Sequence, residues 1–130
     1  MAHRRKRFGD DAEELAVRHL RAAGCRIVAR NARIRYAELA IAGELDIIAM
    51  DGTTLAFVEV KAGHAGAVIG PTAPALAVGP RKQRRLRRLA RAWLVMEAAP
   101  WHDAIRLDVI GVTVDDAGRV RELEWIRGAF

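Results

Sequence analysis

The chain contains one cysteine, Cys25, among its 130 residues. It therefore cannot form an internal disulfide, and such scarcity is typical of proteins of a reducing cytosol. The histidines at positions 3, 19, 64 and 102 lack the spacing of metal ligands, and the glycines at 63, 66 and 70 lack the lysine–serine pair of a phosphate-binding loop. We expect no disulfide framework and no small-molecule cofactor.

Long uncharged segments are also scarce. The longest, Ala62–Pro80, contains four glycines, three prolines and His64. Glycine and proline disfavour a lipid-facing helix, so a mobile loop over residues 62–80 is expected instead of a membrane span. Met1–Arg7 is basic, but an acidic segment follows it where a secretory signal would have an apolar one. These patterns predict a cytoplasmic protein.

The composition is that of an ordinary globular protein, with 52% hydrophobic and 29% charged residues. A chain of this length can bury a core of its own. A single domain over residues 1–130 is therefore expected.

Basic residues are concentrated in two segments. "RKQRRLRRLAR" at 81–91 has seven basic residues and no acidic one, and "RRKR" at 4–7 adds four, in a chain of net charge +6. The segments could be a solvated helix face and a flexible arm over residues 1–8. Unbalanced like charges destabilise a helix, however, so a polyanion partner is the stronger interpretation. The residues predicted to contact phosphates are Arg4, Arg5, Lys6, Arg7, Arg81, Lys82, Arg84, Arg85 and Arg88.

The order of helix and strand patterns predicts the fold class. A first helix begins after Asp10 or Asp11 as N-cap and stops near Gly24. Two later strands are joined across "DG", a hairpin signal. The elements are a helix to residue 24, strands over 25–36, 45–50 and 54–61, a helix over 81–98, and strands over 105–115 and 119–127. This order, α-β-β-β-α-β-β, predicts a single α/β domain with a central mixed β-sheet flanked by helices.

Charged residues interrupt the central hairpin of this sheet, "GELDIIAMDGTTLAFVEVK". Side chains alternate along a strand, and a two-residue or a four-residue turn places Asp46, Glu59 and Lys61 on one face. A four-residue turn sets Asp46 directly opposite Glu59. A two-residue turn at Asp51-Gly52 sets Asp46 opposite Phe57 and diagonal to Glu59, and a bulged three-residue loop breaks the arrangement. Either even register brings the carboxylate-bearing Cβ atoms to within roughly 5–8 Å.

These strands carry bulky apolar residues on both faces, which indicates that both faces are covered. Two carboxylates held together there repel each other and lose hydration. A cross-strand ion pair on a wetted face is the alternative, but a divalent cation, Mg²⁺ or Mn²⁺, relieves both penalties. Lys61 would orient or deprotonate a water, or neutralise a phosphate, and the residues leave these roles open.

The motifs "GELDIIA" and "FVEVK" resemble the PD-(D/E)xK signature of restriction-endonuclease-like nucleases. With "FGDDAEELAVRHL", "RNARIR", "RKQRRLRRLARAWL" and "RLDVIGV" in order, nearly the whole chain resembles the YraN-like family of small, largely uncharacterised bacterial proteins related to archaeal Holliday junction resolvases. The resemblance implies a restriction-endonuclease-like core, a metal-dependent activity on DNA and a homodimer.

Residue by residue, the resemblance implies that Asp46 and Glu59 hold the metal and that Lys61 completes the catalytic core. Glu13 would be a further metal ligand, and Glu44 a residue of the site or its scaffold. Lys82 or Gln83 would approach the scissile phosphate. The chain departs from the family pattern at two places: Gly63 stands where a basic residue is frequent, and an apolar insertion occupies Ile34–Ala42.

The function that these observations favour is a metal-dependent endonuclease acting on DNA, with branched or junction DNA as a candidate substrate. Arginines along one helix suit backbone contacts better than base reading, so structure-selective binding is expected. Two alternatives stay open: a DNA-binding module that does not cut, and a structural partner in a larger membrane- or nucleoid-associated assembly.

Overall fold

The computed structural model describes residues 2–64 and 78–130, with side chains from residue 11 onward. It contains two helices and five strands, and the predicted fold class is confirmed. The elements are α1 (Ala2–Ala22), β1 (Arg26–Tyr36), a one-turn 3-10 helix (Ala37–Leu39), β2 (Ile41–Asp51), β3 (Thr54–His64), α2 (Pro80–Met96), β4 (Ala104–Val114) and β5 (Val120–Ile126).

All five strands form one mixed sheet in the order β1-β2-β3-β4-β5. The β3–β4 pair is parallel, and the other three pairs are antiparallel. A parallel pair requires a crossover connection, which here includes α2. The turn between β2 and β3 has two residues, Gly52 and Thr53, because Asp51 pairs with Thr54. It lies one residue later than the predicted two-residue turn at Asp51-Gly52, so its register sets Asp46 opposite Glu59 and not diagonal to it.

One helix covers each face of the sheet. The α1 side buries residues such as Val17, Leu20 and Ile47, and the α2 side buries residues such as Leu89, Ile48 and Phe57. The strands are apolar on both faces because each face is covered, as the sequence predicted. In the part of the chain that the structure describes, neither helix is long and apolar enough to cross a membrane.

The first helix differs from its prediction. It begins at Ala2, not after an N-cap at Asp10 or Asp11, so the backbone of the expected flexible arm over residues 1–8 is helical from Ala2 onward. Acidic residues are tolerated inside a helix as well as at its start, so this signal did not fix the boundary. Its end was predicted correctly: Gly24 has a φ of +93°, and Cys25 N donates to Leu20 O at 2.9 Å.

The structure also defines the ends of the expected 62–80 loop and the conformation of the insertion Ile34–Ala42. The prediction of a loop over 62–80 was wrong at both ends, since β3 continues to His64 and α2 begins at Pro80. Residues 65–77 lie outside the described residues. The insertion Ile34–Ala42 completes the β1–β2 hairpin. Ile34 and Ile41 are buried against α2, and Ala40 turns the chain with a φ of +49°.

A buried acid ties the far end of the sheet together. Asp108 on β4 is fully buried and accepts hydrogen bonds from Arg106 Nε at 2.8 Å, Trp125 Nε1 at 2.9 Å and Gly128 N at 2.9 Å. Arg106 also donates to Asp51 Oδ2 at 2.8 Å. This network joins β4 to β5 and to the β2–β3 turn, and it satisfies a carboxylate that would otherwise be costly to bury.

Candidate active site

The candidate site lies where β2 and β3 stop pairing. Their ladder ends at Ile47 and Val58, and its register places Asp46 opposite Glu59, the closer of the two predicted arrangements. Beyond this point Val60 N donates to Asp46 Oδ2 at 2.9 Å. β2 and β3 therefore separate here, and the Asp46 carboxylate accepts the hydrogen bond that a backbone carbonyl of β2 would otherwise accept from Val60 N.

β2 also rotates at this position. Strict alternation would place Leu45 with Ile47 on the α1 side, but Leu45 packs in the core on the α2 side together with Ile48. Asp46 lies between them, half-buried in the opening between the strands. The rotation turns its carboxylate toward β3.

Glu59 is buried, with 8% of its surface exposed, and two lysines contact it. Lys82 Nζ lies 2.9 Å from Glu59 Oε1, and Lys61 Nζ lies 3.8 Å from the same oxygen. Lys61 comes from β3 and Lys82 from the first turn of α2. Two cations from different elements thus converge on one buried carboxylate.

The two acids interact strongly. Burial raises the pKa of Asp46 to about 7, with further upward contributions from Glu59 and Glu13, although the hydrogen bond from Val60 opposes them. Asp46 and Glu59 are also in hydrogen-bonding contact. A proton on Asp46 therefore lowers the electrostatic cost of holding the two carboxyl groups close together.

The two lysines differ in basicity. Burial and the neighbouring Lys82 lower the pKa of Lys61. Burial alone would lower the pKa of Lys82 too, but hydrogen bonds with Lys61 and Glu59 raise it. The Lys61 ammonium therefore gives up its proton more readily than the Lys82 ammonium does.

A second acidic group adjoins Asp46. When the Asn31 amide is oriented with its nitrogen toward the surrounding acceptors, that nitrogen donates to Glu13 Oε1 at 2.8 Å, Glu13 Oε2 at 3.1 Å and Glu44 Oε1 at 3.1 Å. Asn31 links α1 to the β1–β2 hairpin in this way. Glu13 therefore lies near enough to Asp46 for their charges to interact, while Glu44 is exposed and belongs to the Asn31 contact.

The donor set fits a hard divalent cation. Asp46 and Glu59 supply carboxylate oxygens, and Mg²⁺ is commonly held by one or two carboxylates with water and phosphate completing its shell. Among the described side chains, no group of three or more His, Cys, Asp or Glu residues is arranged to hold a metal. Two acids, with Glu13 nearby, are thus the protein ligands that this site offers.

The remaining predicted residues lie at several places. Gln83 Nε2 donates to Val78 O at 2.9 Å and thereby fastens the start of α2. Arg85 and Arg88 donate to the carbonyl oxygens of Ala42 and Leu39, at 2.6 and 3.0 Å, and tie α2 to the insertion hairpin. Arg81 and Arg84 are exposed, whereas the side chains of residues 4–7 lie outside the described part.

An open basic concavity adjoins the acid pair. It has a volume of about 530 Å³ and is lined by Gly79, Pro80, Arg81, Lys82 and Arg85. Three of these five residues are basic and none is acidic. Such a surface favours an anion such as a phosphate group.

Sequence reasoning missed Asn31. Its backbone has a φ of +50°, which asparagine tolerates better than most residues, and an asparagine inside a basic strand pattern was the available signal. The Lys82–Glu59 contact was missed for another reason. It depends on how α2 packs over β3, which side-chain alternation does not specify.

Comparison with known proteins agrees with the motifs. Residues 12–112 match the uncharacterised protein family UPF0102. A UPF0102 protein of Mycolicibacterium smegmatis is 48% identical over 122 residues, covering 92% of this chain and 88% of the relative. One from Nocardia farcinica is 47% identical over 112 residues, covering 86% and 80%, and one from Solibacter usitatus is 40% identical over 131 residues, covering 98% and 91%. The chain therefore belongs to the uncharacterised protein family UPF0102, the YraN-like family that its motifs indicated.

Proposed function

We propose that this protein is a metal-dependent endonuclease that hydrolyses DNA phosphodiesters. The observation that carries the proposal is the contact between the Asp46 and Glu59 carboxyl groups in a half-buried opening, with Lys61 and Lys82 beside them. A single structural ion pair needs one acidic and one basic side chain. This opening holds two acidic side chains, Asp46 and Glu59, and two basic ones, Lys61 and Lys82.

The residues have distinct roles in this proposal. Asp46 and Glu59 would hold Mg²⁺ or Mn²⁺, and such an ion would activate a water and stabilise negative charge on the phosphate. Lys61, whose pKa is lowered, orients that water or accepts its proton. Lys82, Arg81 and Arg85 in the basic concavity hold the phosphate in line with the water.

DNA is the substrate that the charge distribution favours. Exposed arginines on α2 continue from the concavity, and arginine suits phosphate contacts without requiring base contacts. We therefore propose structure-selective action on branched DNA, by a cytoplasmic protein that acts as a homodimer so that two strands can be cut.

The test is cleavage of labelled four-way junction, flap, single-stranded and duplex DNA with Mg²⁺ or Mn²⁺. Wild type is compared with Glu59→Gln, which keeps the side-chain volume but removes the charge. We expect wild type to cut at least one branched substrate and Glu59→Gln to cut none. Equal cutting by both proteins, or cutting that persists in EDTA, would contradict the proposal.

DNA binding without cutting is the second candidate, and the Lys82–Glu59 ion pair favours it. This pair neutralises Glu59 at 2.9 Å, so the opening is electrostatically satisfied without a metal. The same substrates distinguish the candidates. Binding of branched DNA by wild type and Glu59→Gln alike, with no product from either, would support the non-catalytic function.

A further inference from the structure

The contact between Lys82 and Glu59 has the geometry of a strong ion pair. The Nζ···Oε1 distance is 2.9 Å, the Glu59 side chain is 9% exposed, and the Lys82 side chain is 40% exposed. Lys61, from the same strand as Glu59, lies farther from the same oxygen, at 3.8 Å. The residue from the distant helix thus makes the closer contact.

An ammonium at this position competes with a divalent cation. Both need the electron pairs of the Glu59 carboxylate, and two cations on one partly buried oxygen repel each other strongly. The Lys82 ammonium already neutralises the acid on the side facing α2. A metal ion that takes both Asp46 and Glu59 must therefore displace Lys82 or share Glu59 with it.

The displaced side chain has an alternative location. Lys82 lines the basic concavity beside Arg81 and Arg85, and none of the described residues that line this space is acidic. An unpaired ammonium is unfavourable there until an anion arrives. A phosphate group in the concavity supplies that anion and makes a charge-assisted hydrogen bond with the released lysine.

We propose that Lys82 is an exchangeable counterion of the metal site. Without DNA it pairs with Glu59 and weakens metal binding; with DNA it moves to a backbone phosphate and frees Glu59 for the metal. This inference rests on the proposed function. It makes metal and DNA binding mutually favourable, which keeps the protein from holding an active metal centre when DNA is absent.

The first experiment titrates the DNA-free protein with Mn²⁺ by calorimetry. Wild type is compared with Lys82→Met and Lys82→Gln, which remove the ammonium, and with Arg81→Met, which removes a neighbouring charge that has no contact with Glu59 in the part of the chain that the structure describes. Two Lys82 variants are used so that one that misfolds does not end the test. Thermal unfolding confirms which variants are folded.

We expect a folded Lys82 variant to bind Mn²⁺ about tenfold or more tightly than wild type, because a competing charge-assisted hydrogen bond is gone. The Mn²⁺ affinity of Arg81→Met should stay within about threefold of wild type, since this substitution changes only the surrounding electrostatic potential. Wild-type affinity in the Lys82 variants, or an equal gain in Arg81→Met, overturns the inference and leaves the metal site standing. No Mn²⁺ binding by any protein overturns the proposed function as well.

A second experiment measures the exchange itself. The Mn²⁺ affinity of wild type is determined with and without a saturating junction whose phosphates are made uncleavable. We expect DNA to tighten Mn²⁺ binding in wild type and to do so several-fold less in Lys82→Met. Equal tightening in both proteins contradicts the transfer of Lys82 to phosphate.

Discussion

At the scale of single residues, the position of Asp46 depends on a backbone bond as well as on strand register. Val60 N donates to Asp46 Oδ2, so one carboxylate oxygen is fixed toward β3. The register places Glu59 across from it. Asp46 is therefore fixed by the backbone of two strands, and this is the rigidity that the proposed metal site requires.

Asn31 is the neutral hydrogen-bond donor between two neighbouring acids, Glu13 and Glu44. Asn31→Asp would place a third carboxylate against Glu13 and Glu44, while Asn31→Gly would remove the amide and keep the positive φ. We expect the Asp variant to be less stable than the Gly variant by about 1 kcal/mol at low salt, since like charges repel. Urea unfolding measures the difference.

The salt dependence of stability distinguishes charge repulsion in Asn31→Asp from an effect of the backbone conformation at position 31. The difference in free energy of unfolding between Asn31→Asp and Asn31→Gly should become smaller from low to high ionic strength, because salt screens exposed charges. A difference that is absent at low salt, or that does not change with salt, would show that the neutral Asn31 amide does not limit repulsion among these acids.

At the scale of elements, Gly43 controls how closely α2 packs on β2. A Cβ at this position would lie 2.9 Å from the Arg85 guanidinium and 3.0 and 3.1 Å from the two Leu89 methyl groups. Arg85 can move because it is exposed, but Leu89 is buried, with 1% exposure. The glycine is therefore needed for this helix position.

Gly43→Ala should destabilise the protein by about 1–3 kcal/mol through overpacking. A double-mutant cycle with Arg85→Ala separates the two contacts. We expect Gly43→Ala to cost nearly as much stability in the Arg85→Ala background as in wild type, because the close contact with Leu89 remains. Full recovery on removing Arg85 would show that the helix is not held by the Gly43–Leu89 approach.

The end of the β2–β3 hairpin provides a pH test. The hydrogen bond from Arg106 holds the pKa of Asp51 below its ordinary value, with further lowering by the charges of Arg106 and Arg127. Its stabilising contribution is therefore present above the unfolded pKa and lost as pH falls through the folded one.

Asp51→Asn should lower the free energy of unfolding by about 1 kcal/mol at pH 7 and by progressively less below pH 4. Urea unfolding from pH 7 to pH 2 measures this. Asp116→Asn, on the exposed β4–β5 turn, is the control and should match wild type throughout. A loss for Asp51→Asn that is constant over this range would contradict the role of its charge.

At the scale of the whole molecule, the acid pair, the basic concavity and the exposed face of α2 adjoin one another. DNA that contacts this surface releases counterions, so its affinity should fall with salt. Arg84→Ala should reduce the log–log salt slope by about 0.9 if Arg84 contacts one duplex phosphate.

Filter binding of junction DNA over a range of salt concentrations tests that slope. Arg119→Ala, on the exposed β4–β5 turn, is the matched control and should leave the slope unchanged. If both substitutions reduce the slope equally, DNA binding follows net charge and not the surface beside the acid pair.

The sequence predicts much of this molecule for identifiable reasons. The apolar residues on both faces of the strands predict a sheet that is covered on both sides. Side-chain alternation with an even register predicts that Asp46, Glu59 and Lys61 lie together. The predicted start of α1 was wrong because acidic residues occur inside helices as well as at their first turn. Asn31 and the Lys82 contact depend on helix–sheet packing, which local patterns do not contain.

The most direct test of the account is the single-turnover rate of junction cleavage in Mg²⁺ by wild type, Asp46→Asn and Asp51→Asn. The two variants remove one charge each from the same strand, but only Asp46 contacts Glu59. We predict at least about a hundredfold loss for Asp46→Asn, since metal stabilisation of the transition state is worth several kcal/mol, and a near wild-type rate for Asp51→Asn. Cleavage by Asp46→Asn at the wild-type rate would contradict the central claim.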